Sequence, residues 1–456
     1  MATTYLTKTF SSGGNQRIWT LSFWVKLNRG TGDDSYILTY AQSSGSNPRG
    51  EITFRNDANG NNFRVGFNPT GSSWTNCDVD NRKFRDYSAW YHVVVAVDTT
   101  QSTASNRVKV YINGEQQTVS TQPSQNFDTG FNHTHQQSYG RYENSDSSYL
   151  DGLLSHIHFI DGTQYQASTF GETDSTSGIW KPKTAPSVTY GTNGYFLKFE
   201  NSGAMGTDSS GNSNTFTVSG NLTQNVDTPS NNFATMNPLD VSGNPNPPTF
   251  ANGNLSVDSV ATSQNATARS TLAVSAGKWY VEAKQVGTAS PEFMRIGILG
   301  ADSTTYVSTN QSVSGHATGY AYKSTGVKGN NQSESSYGNS YTNGDIIGIA
   351  FDADNGTIWF SKNGTWQNSA TITEIQNGTT TNSAFSSISM TRYFMFASSM
   401  AGATSGLKYE WNFGSGFFGT TAVASANADA NGHGAMEYAV PSGYYTLNTK
   451  NIKEFG

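Results

Sequence analysis

The sequence predicts an all-β protein with two tandem antiparallel β-sandwich (jelly-roll) domains joined by a Pro/Gly/Asn-rich connector. Apolar residues come in short runs bounded by Gly, Asn, Asp and Ser, the pattern of strands and turns rather than of helices. Only 13% of residues are charged and 34% hydrophobic, yet there are 25 Phe, 23 Tyr and 9 Trp, more aromatic surface than a disordered chain carries. One arrangement also occurs twice, at residues 90–114 and 346–364: a buried strand, Asp, an aromatic strand, then Asn-Gly. At 456 residues the chain has room for more than one core.

In chain order, the first strand is Ile18 to Leu27. It sets Trp19, Leu21, Phe23 and Val25 on one face and Thr20, Ser22 and Trp24 on the other, which reads as a covered face with a partly wet reverse. Short strands follow around 36–40, 51–55 and 63–67. Trp90 to Asp98 is the most apolar run of the first half, and Arg107 to Ile112 ends in a hairpin turn at Asn113-Gly114. Residues 201–250 are poor in apolar groups and contain VSGNPNPPTF. Pro offers no N–H and pushes its predecessor toward extended geometry, so this is a connector with stiff points, draped over a domain. The second domain centres on GDIIGIAFDADNGTIWFSKNGTW from Gly344. Ile346 to Phe351 is a strand buried on both faces, Asn355-Gly356 a tight hairpin turn, Thr357 to Ser361 the return strand, and Asn363-Gly364 a second turn. Thr420 to Gly434 reads as irregular or one short helix. The expected division is 1–200 first sandwich, 201–250 connector, 251–420 second sandwich, and 421–456 a C-terminal tail that would dock on a neighbouring subunit.

The stretch from Gly344, together with GKWYVEAKQ from Gly277, RIGILG from Arg295 and YEWNFGSGFF from Tyr409, resembles the SPRY domains, sandwiches that bind through loops at one end. WYHVVVAVD, VYINGE and LDGLLSHIHFIDG from Leu150 resemble a laminin-G-type, concanavalin A-like jelly roll. The spaced motifs FIDG, FGE, GIWKPK and GTNGYFLKF between Phe159 and Phe199, then DSSGNSNTF from Asp208 and DTPSNNFATMNPL from Asp227, are similar to a recurring module of marine bacteriophage structural proteins. That resemblance implies a virion surface protein of a tailed phage: a tail fibre or receptor-binding component that contacts host glycans or surface structures, or alternatively a capsid decoration or assembly protein. The partners it implies are other virion proteins, a host surface glycan or protein, and further copies of the chain, a trimer first.

A net charge of −6 and a pI near 5.6 leave no basic field for a nucleic-acid backbone, so nucleic acid is not an expected partner. Cys77 is the single cysteine, which excludes an intrachain disulfide and a cysteine-based zinc site. No apolar run approaches the ~20 residues that span a bilayer, and MATTYLTKTF lacks an apolar leader core, so neither membrane insertion nor secretion is expected.

Catalysis is not expected either, with a polysaccharide hydrolase the third reading. A glycosidase needs two carboxyls about 5 to 9.5 Å apart, and jelly-roll glucanases space them as Glu-x-Asp-x-Glu along a strand. No such triplet occurs. Glu172-Thr173-Asp174 comes nearest and sits among turn formers, and the serine-hydrolase, zincin and phosphate-loop motifs are absent.

His156 and His158, two apart on a strand, share a face and could form half of a metal site with His133 and His135. With no Cys or clustered carboxylate to complete the set, the simpler reading is the outward face of a covered strand. No cofactor is expected beyond calcium, which the laminin-G resemblance raises, with Asp78, Asp80, Asp98 and Asp151 near loop ends as weak ligand candidates. Candidate ligand-binding aromatics are Trp74, Tyr87, Tyr139 and Tyr142 in the first half. In the second they are Tyr306, Tyr320, Tyr322, Tyr337 and Tyr341, of which Tyr337 and Tyr341 precede the core strand in a region similar to the SPRY binding loops. All lie amid Ser, Asn and Gly, a mixture that sets rigid contact area beside adaptable hydrogen-bonding groups.

Overall fold

The structure, a computed structural model, describes the chain apart from residues 1–2, 29–33, 43–47, 57–61, 80, 146, 177, 242–246, 260–261, 288–293, 304–310 and 403–405. It forms two compact units, Met1–Gln224 and Asn225–Gly456. Each is a sandwich of antiparallel sheets.

In the first unit a six-stranded sheet runs Tyr195–Leu197, Gly152–Asp161, Ile18–Leu27, Trp90–Asp98, Val108–Ile112, Glu115–Gln117. A seven-stranded sheet runs Thr217–Ser219, Tyr5–Lys8, Gln136–Tyr139, Ser35–Ala41, Arg49–Arg55, Asn62–Asn68, Thr75–Val79. Alternation decides what meets between them. Trp19, Leu21, Phe23, Val93, Val95 and Val97 face Tyr40, Ile52, Phe54, Val65 and Phe67 in one core. The reverse of the first long strand, expected to be partly wet, is instead dry: Thr20, Ser22 and Trp24 are all buried. Residues 163–190 fold back over this sheet and pack Ala167, Phe170 and Trp180 on Val94, Ala96 and Tyr111. The Asn113-Gly114 turn takes positive φ at both residues (50° and 86°), as a two-residue hairpin requires.

The second unit pairs a seven-stranded sheet with an eight-stranded one. The latter runs Thr249–Ala251, Ser256–Asp258, Lys408–Asn412, Lys278–Val286, Ile346–Asp352, Thr357–Lys362, Thr365–Trp366, with Tyr445–Thr446 pairing parallel to Lys278–Val286. The turn between Ile346–Asp352 and Thr357–Lys362 differs from expectation. Asp352 pairs with Thr357 across a four-residue loop in which Gly356 takes positive φ and Asn355 does not. The Asp352 carboxylate accepts from Asn355 N and Nδ2, holding a wider turn.

Connector and tail are built into the units. Phe216 lies in the first core, and Met236 and Leu447 lie in the second. The tail, expected to dock on a neighbouring subunit, packs on its own unit, where Met436 and Tyr444 bury against Tyr280, Ala350 and Trp359. It ends in the Thr449–Phe455 helix capped by Asn448, while residues 420–434 hold a two-residue strand, Thr421–Ala422, and no helix. Among the described residues no helix is long and apolar enough to cross a membrane.

Candidate binding site on the outer face of the seven-stranded sheet

The outer face of the first unit's seven-stranded sheet carries no hydrophobic cluster among the described residues. Alternation sends Ile52, Phe54, Phe63, Val65, Phe67, Cys77 and Val79 to the core and presents Arg49, Glu51, Arg55, Arg64, Asn68, Asn76 and Asp78 outward. Strand register sets Thr39, Glu51, Gly66 and Asn76 in one cross-strand row and Tyr36, Thr53, Arg64 and Asp78 in the next. Arg49 stands opposite Asn68.

Arg64 is the pivot. Its guanidinium grips Asp78 through Nε–Oδ1 at 2.6 Å and Nη2–Oδ2 at 2.8 Å, and lies 3.8 Å from Glu51 Oε1. Glu51 is 8% exposed. Lost hydration lifts its carboxyl to about 7 against the pull of Arg64, with Asp34 and Asp78 adding to the rise and Arg55 opposing it. A carboxyl poised between charge states near neutral pH in a specific polar setting is a functional candidate.

Aromatic rings frame it. A Cβ on Gly66 would stand 3.0 Å from Trp74 Cζ3 and 2.9 Å from Glu51 Cγ, so the missing side chain lets the indole lie beside the carboxylate. Arg49 Cζ is 5.4 Å from the Trp74 ring centroid. Tyr142 stacks on Tyr36 at 4.7 Å, and burial raises both phenols, with the charge of Glu51 adding to each. A buried pair, Arg141 Nη2 to Glu143 Oε2 at 2.7 Å, extends the network, with Arg141 over the Tyr5 ring. Asn68 Oδ1 and Asn76 Oδ1 are buried and accept no hydrogen bond from the described residues.

The structure thus brings together Trp74, Tyr142 and Asp78. Tyr87 is half-buried against the first core and Tyr320 against the second, beside Phe385 and Phe394. Tyr139, Tyr322, Tyr337 and Tyr341 are core residues, which corrects the expectation that they offer contact surface. Polar neighbours misled because the rings point inward, Tyr139 and Tyr322 by strand alternation and Tyr337 and Tyr341 from the loop before Ile346–Asp352, and partners within the chain satisfy the hydroxyls. Tyr139 meets the Tyr195 hydroxyl at 2.7 Å, Tyr341 meets that of Tyr409 at 2.9 Å, Tyr322 donates to Asn339 O, and Tyr337 accepts from Phe360 N. Tyr306 and Asp80 lie outside the described residues.

Of the other acids weighed for calcium, Asp98 accepts from Thr100 and Gln101 in its own turn, and Asp151 accepts from Asn28 Nδ2. Among the described residues no three His, Cys, Asp or Glu side chains group as metal ligands would. Glu172 and Asp174 flank Lys181 in a small hairpin. His156 and His158 do not present one shared face: a bulge between Ser155 and His158, with His156 at φ 47°, breaks the alternation. His158 is buried, stacked on Phe196 at 3.8 Å and hydrogen-bonded to the Tyr190 hydroxyl.

Glu51 and Arg64 escaped sequence reasoning. The alternating RGEITFR and NFRVGFN strands were readable, but only the register shows that the outward acid of one stands beside the outward arginine of the next.

Residues 3–168 match the family described as the concanavalin A-like lectin/glucanases superfamily, and residues 278–405 match the SPRY domain. Among solved structures, the SPRY domain of human HERC1 is 16% identical over 34% of this chain and 86% of its own, with a TM-score of 0.28. A heptameric SAP-like pentraxin from Limulus polyphemus is 16% identical over 36% of this chain and 71% of its own, at 0.27. The enzymatically active domain of tailspike protein 2 from bacteriophage CBA120 is 11% identical over 36% of this chain and 25% of its own, at 0.28. No curated protein matches significantly. By the two family matches, the chain carries a concanavalin A-like domain followed by a SPRY domain.

Proposed function

We propose that this protein is a non-enzymatic, glycan-binding surface component of a tailed-phage particle, and that the outer face around Glu51 is its binding surface. The observation that carries this is the Arg64-centred network of Glu51 and Asp78 beside Trp74, Tyr36 and Tyr142. A pyranose has an apolar C–H face and a hydroxyl rim; an aromatic ring suits the first, and fixed carboxylates and amides suit the second. Arg64 contacts both carboxylates, which supports binding over hydrolysis, because a scissile bond would need the space between them. The motifs between Phe159 and Leu239 that resemble phage structural proteins support the particle setting. In that setting the second sandwich contacts other virion proteins and further copies of the chain, as a trimer.

The test is an array of bacterial surface polysaccharides probed with the full chain and with Trp74→Ala. Binding is expected to fall at least about tenfold in the variant, the loss of one stacked aromatic contact. Equal binding by both proteins, or none by either, overturns the reading, and release of oligosaccharide products would establish the hydrolase instead. Electron microscopy of particles separates the two particle roles: tail density fits receptor binding, whereas density over the capsid lattice fits decoration.

A further inference from the structure

We infer that the strap over the outer face of the first unit's six-stranded sheet, residues 163–176 and 178–190, is latched by the neutral imidazole of His92 and released by acid. The latch does not depend on the glycan-binding reading. His92 is fully buried between two indoles, its ring centroid 4.7 Å from Trp24 of its own sheet and 5.9 Å from Trp180 of the strap. Two glycines make the slot for Trp180. A Cβ on Gly171 would stand 2.5 Å from its Cζ2, and one on Gly114 2.8 Å from its Cζ3.

The donor pattern fixes the state of the ring. Trp180 Nε1 donates to His92 Nδ1 at 2.9 Å, and an indole N–H can only donate, so Nδ1 carries a lone pair. The ring proton is therefore on Nε2, which donates to Ser22 Oγ at 2.9 Å. A second proton would have to go on Nδ1, where it would meet the indole N–H head on. At the far end of the strap buried His158 lies 2.8 Å from the Tyr190 hydroxyl, which can turn to accept, so that contact tolerates a proton. Selectivity for the neutral form sits at His92.

The charged and titratable groups around His92 supply no counter-charge. From its own sheet they are Lys26, one pair along from the Trp24–His92 pair, Tyr111, and His156 and His158. From the strap they are Tyr190 and the hairpin residues Glu172, Asp174 and Lys181, in which the two carboxylates face the lysine. Lys198 and Glu200 lie beyond His156. Burial, with the like charge of His156 adding, lowers His92 from 6.5 to about 3. Once the strap lifts, the ring meets water and regains its ordinary affinity for a proton. The closed strap thus binds fewer protons than the open one. Closure is at full strength above about pH 6.5, and the opening constant grows about tenfold per unit as pH falls below that toward 3. Opening uncovers Val94, Ala96 and Tyr111, an apolar patch, while the core between the two sheets keeps its contacts.

The experiment is hydrogen exchange of the full chain followed by NMR from about pH 6 to pH 4, corrected for the intrinsic rate at each pH. The reporters are Trp180 Nε1–H and Tyr165 N–H, bonded to His92 and to Thr20 Oγ1 only when the strap is closed. Their opening constant should rise at least about tenfold per pH unit, while amides of Ile18–Leu27 and Trp90–Asp98 stay protected. His92→Gln, whose amide can accept from Trp180 and donate to Ser22 but does not titrate, should lower that slope by about a factor of ten per pH unit. Loss of protection by strap and core at the same pH, or an unchanged slope in His92→Gln, overturns the inference. Nitrogen chemical shifts of the wild-type chain give a test that no variant's folding can obscure: at pH 5 His92 should be the neutral Nε2–H form, and a charged ring or the Nδ1–H form there overturns it.

Discussion

Each sandwich carries one glutamate on the outer face of a sheet that burial lifts to about 7, and the two are completed differently. Glu282 is wholly buried beneath the C-terminal tail. It accepts from Glu437 N at 2.8 Å, Tyr438 N at 2.9 Å and the Tyr280 hydroxyl at 3.0 Å, while Met436 and Tyr444 seal Tyr280, Ala350 and Trp359 beside it. Glu51 lies among the long side chains of its own sheet, near one arginine already shared with Asp78, with two amide oxygens nearby that accept nothing from the described residues. The same group in the same kind of place is therefore a lock where the chain supplies the donors. It is a candidate site where the chain leaves them to be supplied.

The lock is the easier half to break. Glu282→Ala leaves two buried N–H groups and a buried hydroxyl without their acceptor. At about 1–3 kcal/mol for each such group, less the relief of no longer burying a carboxyl, the second unit should lose about 3 kcal/mol. Hydrogen exchange of the full chain in graded denaturant should show residues 433–447 opening first and the first unit unchanged. Wild-type protection of that segment in the variant would mean that the tail holds without Glu282.

How far this contrast was legible in the sequence follows from the range of the forces involved. Strands such as Ile18–Leu27, Trp90–Asp98 and Ile346–Asp352 appear where apolar runs end at Asn, Asp and Gly, because alternation and turn chemistry are local. Trp74 and Tyr142 were visible as aromatics in polar surroundings. Glu51 was not, because its neighbours Arg64 and Asp78 arrive through strand register rather than along the chain. The inward tyrosines failed for the complementary reason. A Ser- and Gly-rich stretch reads as wet, yet Tyr337 and Tyr341 sit at its inward positions and satisfy their hydroxyls against Phe360 and Tyr409. The tail meets its own unit at Glu282, whose donors stand 155 and 156 residues away along the chain.

The comparison sharpens with pH. Glu282 is raised in the folded state from the usual carboxylate range to about 7, so its contribution to stability is fully present below about pH 4.5 and is lost as pH rises through 7. The two backbone N–H groups moderate the effect by favouring the ionised form. The second unit should lose about 2 kcal/mol between pH 5 and pH 8 relative to Glu282→Gln, in which that titration is absent. Urea titrations of both proteins across the range measure the difference. Parallel pH profiles would show that Glu282 is already ionised under the tail at pH 5.

The smallest change in stability should come with a large change in binding, at Gly66. Its φ is not in the left-handed region, so alanine carries no backbone strain there, and the added methyl group meets side-chain atoms only, Glu51 Cγ at 2.9 Å and the Trp74 ring at 3.0 Å. The half-exposed Trp74 ring can give way, and alanine restricts the unfolded chain more than glycine does. The first unit should therefore change by no more than about 1 kcal/mol. The shift that relieves the contact moves the indole away from the carboxylate, and a displacement of that size at a fitted surface costs affinity steeply. Gly66→Ala should thus melt near wild type in thermal unfolding and bind the polysaccharide captured by the full chain at least about tenfold more weakly. Binding at wild-type strength would show that the juxtaposition of Trp74 and Glu51 is packing, and that the first sandwich, like the second, has closed this face for itself.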